Sequence, residues 1–209
     1  MRKNILKVWD LPSTGVTASL VIISVIFLIG SLAGCSLAGH TNSEGEAALS
    51  RYLDGFLNIV SSNEMVKPEF VFILWKAIRW PLLVIFLGLT PIGLIGIPIL
   101  ILIRSFLLSF SIASFYQVSG PDGLLFSFVL FGITGLIYIP ILFVFGIQSF
   151  LRAGTIIGRI TGENRRTGSL KRSEWIRFSI CAIVLLLFCF IEYTTGPAVL
   201  KTAAEMLIH

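Results

Sequence analysis

Uncharged apolar stretches recur along the chain and set its architecture. Residues 15–39 carry no charge, nor does the run from Trp80 to Ile103, WPLLVIFLGLTPIGLIGIPILILI, nor do residues 123–151. A further apolar run separates Arg177 from Glu192. A helix that crosses a bilayer needs about 20 predominantly apolar residues. A water-soluble fold cannot absorb several such runs, so the pattern predicts an all-α, polytopic membrane helix bundle, a single integral domain over residues 1–209.

The punctuation of these runs places the helices. Residues 70–118 are too long for one span and adequate for two. Thr90-Pro91-Ile92-Gly93-Leu94-Ile95-Gly96-Ile97-Pro98 interrupts them, because proline lacks a backbone donor and disfavours helix in the residue before it. Gly120-Pro121-Asp122-Gly123 is a reverse-turn signature. About five transmembrane helices follow, at roughly 16–38, 70–89, 93–118, 124–150 and 176–195, with loops at 40–69 and 151–175. In the first loop, Ser43-Glu44-Gly45-Glu46 is a capping box. Leu49, Tyr52, Leu53, Phe56, Leu57 and Val60 then recur at helical spacing, which predicts a short external amphipathic helix on the outer leaflet, on a partner, or over the bundle itself.

Composition agrees: 56% of residues are hydrophobic, 13% are charged and the mean hydropathy is +0.93. The net charge of +5 would suit nucleic acid, but its placement points to membrane topology instead. Basic residues gather at Arg2, Lys3 and Lys7, and again at Arg152, Arg159, Arg165, Arg166, Lys171, Arg172 and Arg177. In the 40–69 loop, Glu44, Glu46, Asp54, Glu64 and Glu69 outnumber Arg51 and Lys67. Short cytoplasmic loops are rich in Lys and Arg. The N-terminus and the 151–175 loop are therefore expected in the cytoplasm and the 40–69 loop outside, with the chain multi-pass in a plasma membrane. Three crossings with a re-entrant Pro/Gly segment satisfy the same parity. Lys76 and Arg79 in the second helix would snorkel outward.

Leu32-Ala33-Gly34-Cys35 fits a lipoprotein cleavage signal. The apolar stretch before it exceeds the 7–15 residues usual in a signal peptide, and later spans already anchor the chain, so retention of the first helix is expected. Gly30 and Gly34 then form part of a small-residue stripe suited to close helix packing. Cys35, Cys181 and Cys189 all lie in apolar runs, where thiols behave as small hydrophobes and have no zinc-site spacing.

No enzyme constellation is visible. The histidines, His40 and His209, stand apart from any carboxylate cluster, and there is no P-loop, HExxH, Gly-x-Ser-x-Gly or Ser-x-x-Lys. No cofactor or metal is expected. Ionisable groups inside spans are expensive and become the candidates. Arg104 in the third helix and Glu192 in the fifth are at compatible depths for an intramembrane polar pair, the competing reading being separate snorkelling. Ser105 and Ser109 form a small polar stripe. Pro91, Gly93, Gly96, Pro98, Pro140 and Pro197 are candidate hinge or packing positions.

The second half resembles the stage II sporulation protein M family of bacterial and archaeal membrane proteins. The resemblance rests on Gly88 to Pro98, on Gly123-Leu124-Leu125-Phe126, on Ile139-Pro140, and on Ile191-Glu192-Tyr193 followed by Pro197. It departs at Gly132-Ile133-Thr134-Gly135 and at Ser105 and Ser109, where the family frequently carries other elements, as in a divergent paralogue. The resemblance implies a non-catalytic membrane scaffold that positions peptidoglycan-remodelling proteins, sporulation proteins D and P, during engulfment. The alternative is a membrane subunit of an ABC-type transporter, acting as a homo-oligomer or with a separate ATPase, since broken helices and buried charge are how transporters build sites.

Overall fold

The computed structural model describes residues 13–40, 69–161 and 172–208, together with residues 45, 47, 50, 51 and 55. Its helices are α1 (Ser13–Gly39), α2 (Phe70–Gly88), α3 (Gly93–Ser127), a π-helical turn (Phe128–Gly132), α4 (Ile133–Ile160) and α5 (Arg172–Ile208). Five of the segments are long and apolar enough to cross a membrane. The chain is thus an all-α polytopic membrane bundle. Most of the expected external amphipathic helix, the basic cluster at Arg2, Lys3 and Lys7, and residues 162–171 lie outside the described residues.

The helix breaks follow from local chemistry. After Gly88 the chain turns through residues 89–92, and Thr90 caps the end of α2 by donating its hydroxyl to the Leu87 carbonyl at 2.9 Å. The Gly93 N–H returns to the Thr90 carbonyl at 3.1 Å, and α3 begins there. Pro98 is tolerated inside α3 close to its start. At Gly120 the backbone is non-helical, with φ 60° and ψ −141°. That left-handed conformation is cheap only for glycine, and Pro121 restarts the helix beyond it.

The expected fourth helix, 124–150, differs in detail. It begins beyond the Gly120 break, within the stretch numbered with α3, passes through the π turn at Phe128–Gly132, and continues as α4 past residue 150 to Ile160. The π turn precedes Thr134-Gly135, where weak helix formers leave the local winding to tertiary packing. Likewise α5 runs through residue 197 to Ile208, so Pro197 does not end it.

Side-chain neighbours give the direction of each helix. Leu94, Ile101 and Leu108 of α3 lie opposite Gly154, Gly146 and Gly135 of α4, a descending register that makes the two antiparallel about Gly120. Gly30 lies against Leu102 and Gly34 against Phe106, so α1 and α3 are parallel. Phe27 meets Phe143, and Gly15 meets Leu151, which makes α1 and α4 antiparallel. Phe70 of α2 meets Tyr193 of α5 at 5.7 Å, ring edge to face. Successive helices therefore alternate in direction across the bundle.

Its centre holds Ile23, Val84, Ile97, Ile101, Leu142, Phe145 and Leu185. Large apolar side chains such as Leu32, Phe72, Ile92 and Leu136 are well exposed around the outside, as suits a molecule whose solvent is lipid. Lipid tails are as apolar as leucine, so helix association here comes from close packing and interhelical hydrogen bonds. The α1–α3 contact is the most extensive in the bundle.

Candidate functional site

The α1–α3 seam is built from small residues. A Cβ on Gly30 would collide with the Leu102 carbonyl and the Ser105 hydroxyl, and one on Gly34 with the Phe106 carbonyl. Between them, the Ser109 hydroxyl donates to the Ser31 carbonyl at 2.7 Å and lies 2.8 Å from Cys35 Sγ. Ser105 bonds back to the Leu102 carbonyl at 3.0 Å within its own helix. The structure thus brings Gly30, Gly34, Ser105 and Ser109 into one helix contact. A second small-residue contact joins α2 to α4, where Gly88 sits on Ser149. Gly93 and Gly96 lie against Leu87 across the α2–α3 turn that Pro91 helps to form. Pro140 stands exposed on α4.

The polar interior lies elsewhere. The Arg104 guanidinium sits over two rings, 5.6 Å from the Trp80 centroid and 5.3 Å from the Tyr138 centroid. Arg79 takes a place by the same indole, 5.8 Å from its centroid. Arg79 and Arg104 act electrostatically on one another, and both act on Tyr138. Cation–π attraction to an indole is worth about 0.5–1 kcal/mol in water and about 2 when desolvated. It partly offsets the cost of a charge inside the hydrocarbon, roughly 2.5–3.5 kcal/mol on insertion scales. The Arg104 Nε and the Tyr138 hydroxyl are both buried and have no hydrogen-bond partner among the described residues.

The expected pair between Arg104 and Glu192 is not formed. Arg104 is turned onto Trp80 and Tyr138, while the electrostatic partner of Glu192 is Lys76 on α2. Similar depth is not enough: the two groups project from their helices toward different neighbours. Nor is Arg79 drawn away toward the end of α2, since its guanidinium stays beside Trp80. At about 1.5 Å per residue, Arg79 lies roughly 14 Å along from Phe70 and Arg104 roughly 17 Å along from Gly93. Both are therefore near the middle of a hydrocarbon layer about 30 Å thick.

Sequence reasoning singled out neither Trp80 nor Tyr138 as a partner of the arginines. The available signal was that Arg79 and Arg104 sit at matching distances from the ends of two adjacent spans. A further buried polar group, Gln148, lies one turn from Arg152 on α4, and Arg152 stands 5.9 Å over the Phe178 ring. Among the described residues no group of three or more His, Cys, Asp and Glu gathers in metal-binding proximity.

No curated protein matches the chain, and no solved structure does. The family described as stage II sporulation protein M matches residues 23–193, most of α1 through the greater part of α5 and every residue of the arginine stack. The match spans most of the chain and coincides with the membrane bundle, so the chain belongs to the stage II sporulation protein M family.

Proposed function

We propose that the protein is a non-catalytic scaffold of the bacterial plasma membrane that recruits or positions peptidoglycan-remodelling proteins, with sporulation proteins D and P as its partners during engulfment. Family membership over residues 23–193 is the observation that carries this reading. It is supported by the way the bundle uses its residues, with seams of glycine and serine between helices and broad apolar faces left outside. In this reading the N-terminus and the basic 151–175 segment lie in the cytoplasm, and the 40–69 segment meets partners outside.

The test is purification of the full chain under mild detergent from the membranes of its own host, followed by mass spectrometry. Enrichment of wall hydrolases or their membrane anchors is the expected result. Recovery of an ATP-binding subunit in their place would replace the scaffold with the transporter subunit.

A further inference from the structure

We propose that the exposed face of α2 docks a transmembrane helix of another membrane protein, and that a carboxylate on that helix seats against Arg79. The proposal rests on the scaffold reading and names the chemistry of its partner.

The face is one stripe. Phe72, Trp75, Leu82 and Phe86 are exposed on α2 and are spaced for one side of a helix, and exposed Lys76 and Arg79 lie among them. Lipid tolerates the apolar members, but not Arg79. It is exposed near the middle of the span, where charge is expensive, and it stays beside Trp80 and does not reach for headgroups. A second cation, Arg104, shares the indole with it. Among the described residues neither guanidinium forms an ion pair with a carboxylate, and the cation that acts on Glu192 is Lys76. The cluster of Lys76, Arg79 and Arg104 against Glu192 is left with an excess of positive charge in a medium that screens it poorly.

A carboxylate brought to Arg79 relieves that excess, and a planar guanidinium accepts it through paired hydrogen bonds. The carrier must itself be stable in hydrocarbon and match an apolar stripe with helical spacing, and a transmembrane helix meets both conditions. A small anion from water would have to cross the hydrocarbon to reach the same place.

The experiment uses the full chain reconstituted in phosphatidylcholine vesicles with a dye-labelled single-span peptide of leucine and alanine. The peptide carries glutamate, glutamine or leucine at its midpoint. Energy transfer from a dye on the protein reports association. The glutamate peptide is expected to bind at least tenfold more tightly than the glutamine peptide. Arg79→Leu should remove that preference, Arg79→Lys should keep part of it, and Leu32→Ala on α1 should leave it intact. Arg79 is exposed, so its replacement opens no cavity, and a monodisperse elution profile checks the fold.

Equal binding of the glutamate and glutamine peptides, or a preference that survives Arg79→Leu, overturns the proposal. So does energy transfer between two labelled copies of the chain that Arg79→Leu abolishes, which would make the occupant a second copy. Chloride or acetate uptake into the vesicles that depends on Arg79, without peptide discrimination, would assign the cluster to anion passage and also overturn it. Native partners that still co-purify with Arg79→Leu refute this docking surface and leave the scaffold standing. A glutamate preference in a chain that recovers no wall hydrolase leaves the docking surface standing and refutes the proposed partners.

Discussion

Trp80 does at the residue scale what a counterion would ordinarily do. Its indole presents negative faces to Arg79 at 5.8 Å and to Arg104 at 5.6 Å, and Tyr138 adds a second ring for Arg104. Removing either member should therefore be felt through the other. In a cycle of Arg104→Leu, Trp80→Leu and the double variant, the expected coupling is about 1–2 kcal/mol, read from chemical unfolding in detergent. The cycle of Arg104→Gln with Glu192→Gln should instead be additive to within about 0.5 kcal/mol, since the two share no contact. Coupling above 1 kcal/mol in that second cycle would restore the direct pair. Ser109→Ala removes one interhelical hydrogen bond, and such bonds in membranes average about 0.6 kcal/mol. A small loss of stability is expected, measurable as a shift of the unfolding midpoint.

At the scale of elements, the bundle is organised by where backbones come close. Gly30 and Gly34 allow α1 to lie directly on the α3 main chain, and Gly88 lets α2 approach Ser149 of α4. Leucine at Gly30 or Gly34 meets backbone that cannot rotate away, so Gly30→Leu and Gly34→Leu should each cost about 1–3 kcal/mol as overpacking. Gly39→Leu, at the end of the same helix and with open space around it, should cost little. Comparable losses at all three positions, measured by thermal aggregation in one detergent, would remove the seam as the organising contact. Gly120 is a different case. Its positive φ, not crowding, makes Gly120→Ala unfavourable by about 1–2 kcal/mol. The effect should be on the α3–α4 hairpin, whose antiparallel register turns on that residue.

At the scale of the whole molecule, alternating helix directions over five candidate spans place the two ends of the bundle on opposite sides of a membrane. Together with the basic clusters at the N-terminus and in the 151–175 segment, this gives a testable orientation. In a background lacking Cys35, Cys181 and Cys189, cysteines introduced at Ser43 and Lys201 should react with an impermeant thiol reagent added from outside. A cysteine at Ser169 should react only after the membrane is opened. Labelling of position 43 with protection of position 201 would require an odd number of crossings between them and would contradict the five-span bundle, which has four.

The long apolar helices and the turn at Gly120 were legible in the residues because hydrocarbon permits little else. An uncharged run of helix length has one stable setting in a bilayer, and a Gly-Pro-Asp-Gly sequence inside such a run must reverse the chain. Arg104 and Glu192 were equally conspicuous, since any charge in those runs stands out. Their partners were not legible. Which neighbour a side chain meets depends on how each helix is rotated about its axis, and that rotation is set by contacts made far away in sequence. The approach of Gly88 to Ser149 and of Gly30 to Leu102 fixes α2 and α3 so that Arg104 faces Trp80 and Tyr138, leaving Glu192 to Lys76. The π turn at Phe128–Gly132 and the extension of α4 to Ile160 belong to the same class, because weak local preferences there yield to packing. The sequence by itself determined a membrane bundle and its long apolar helices, through the cost of exposing backbone and charge to lipid. The tertiary structure alone decided which charges share a ring and which lack a counter-charge, because only side-by-side packing sets the azimuth of a helix.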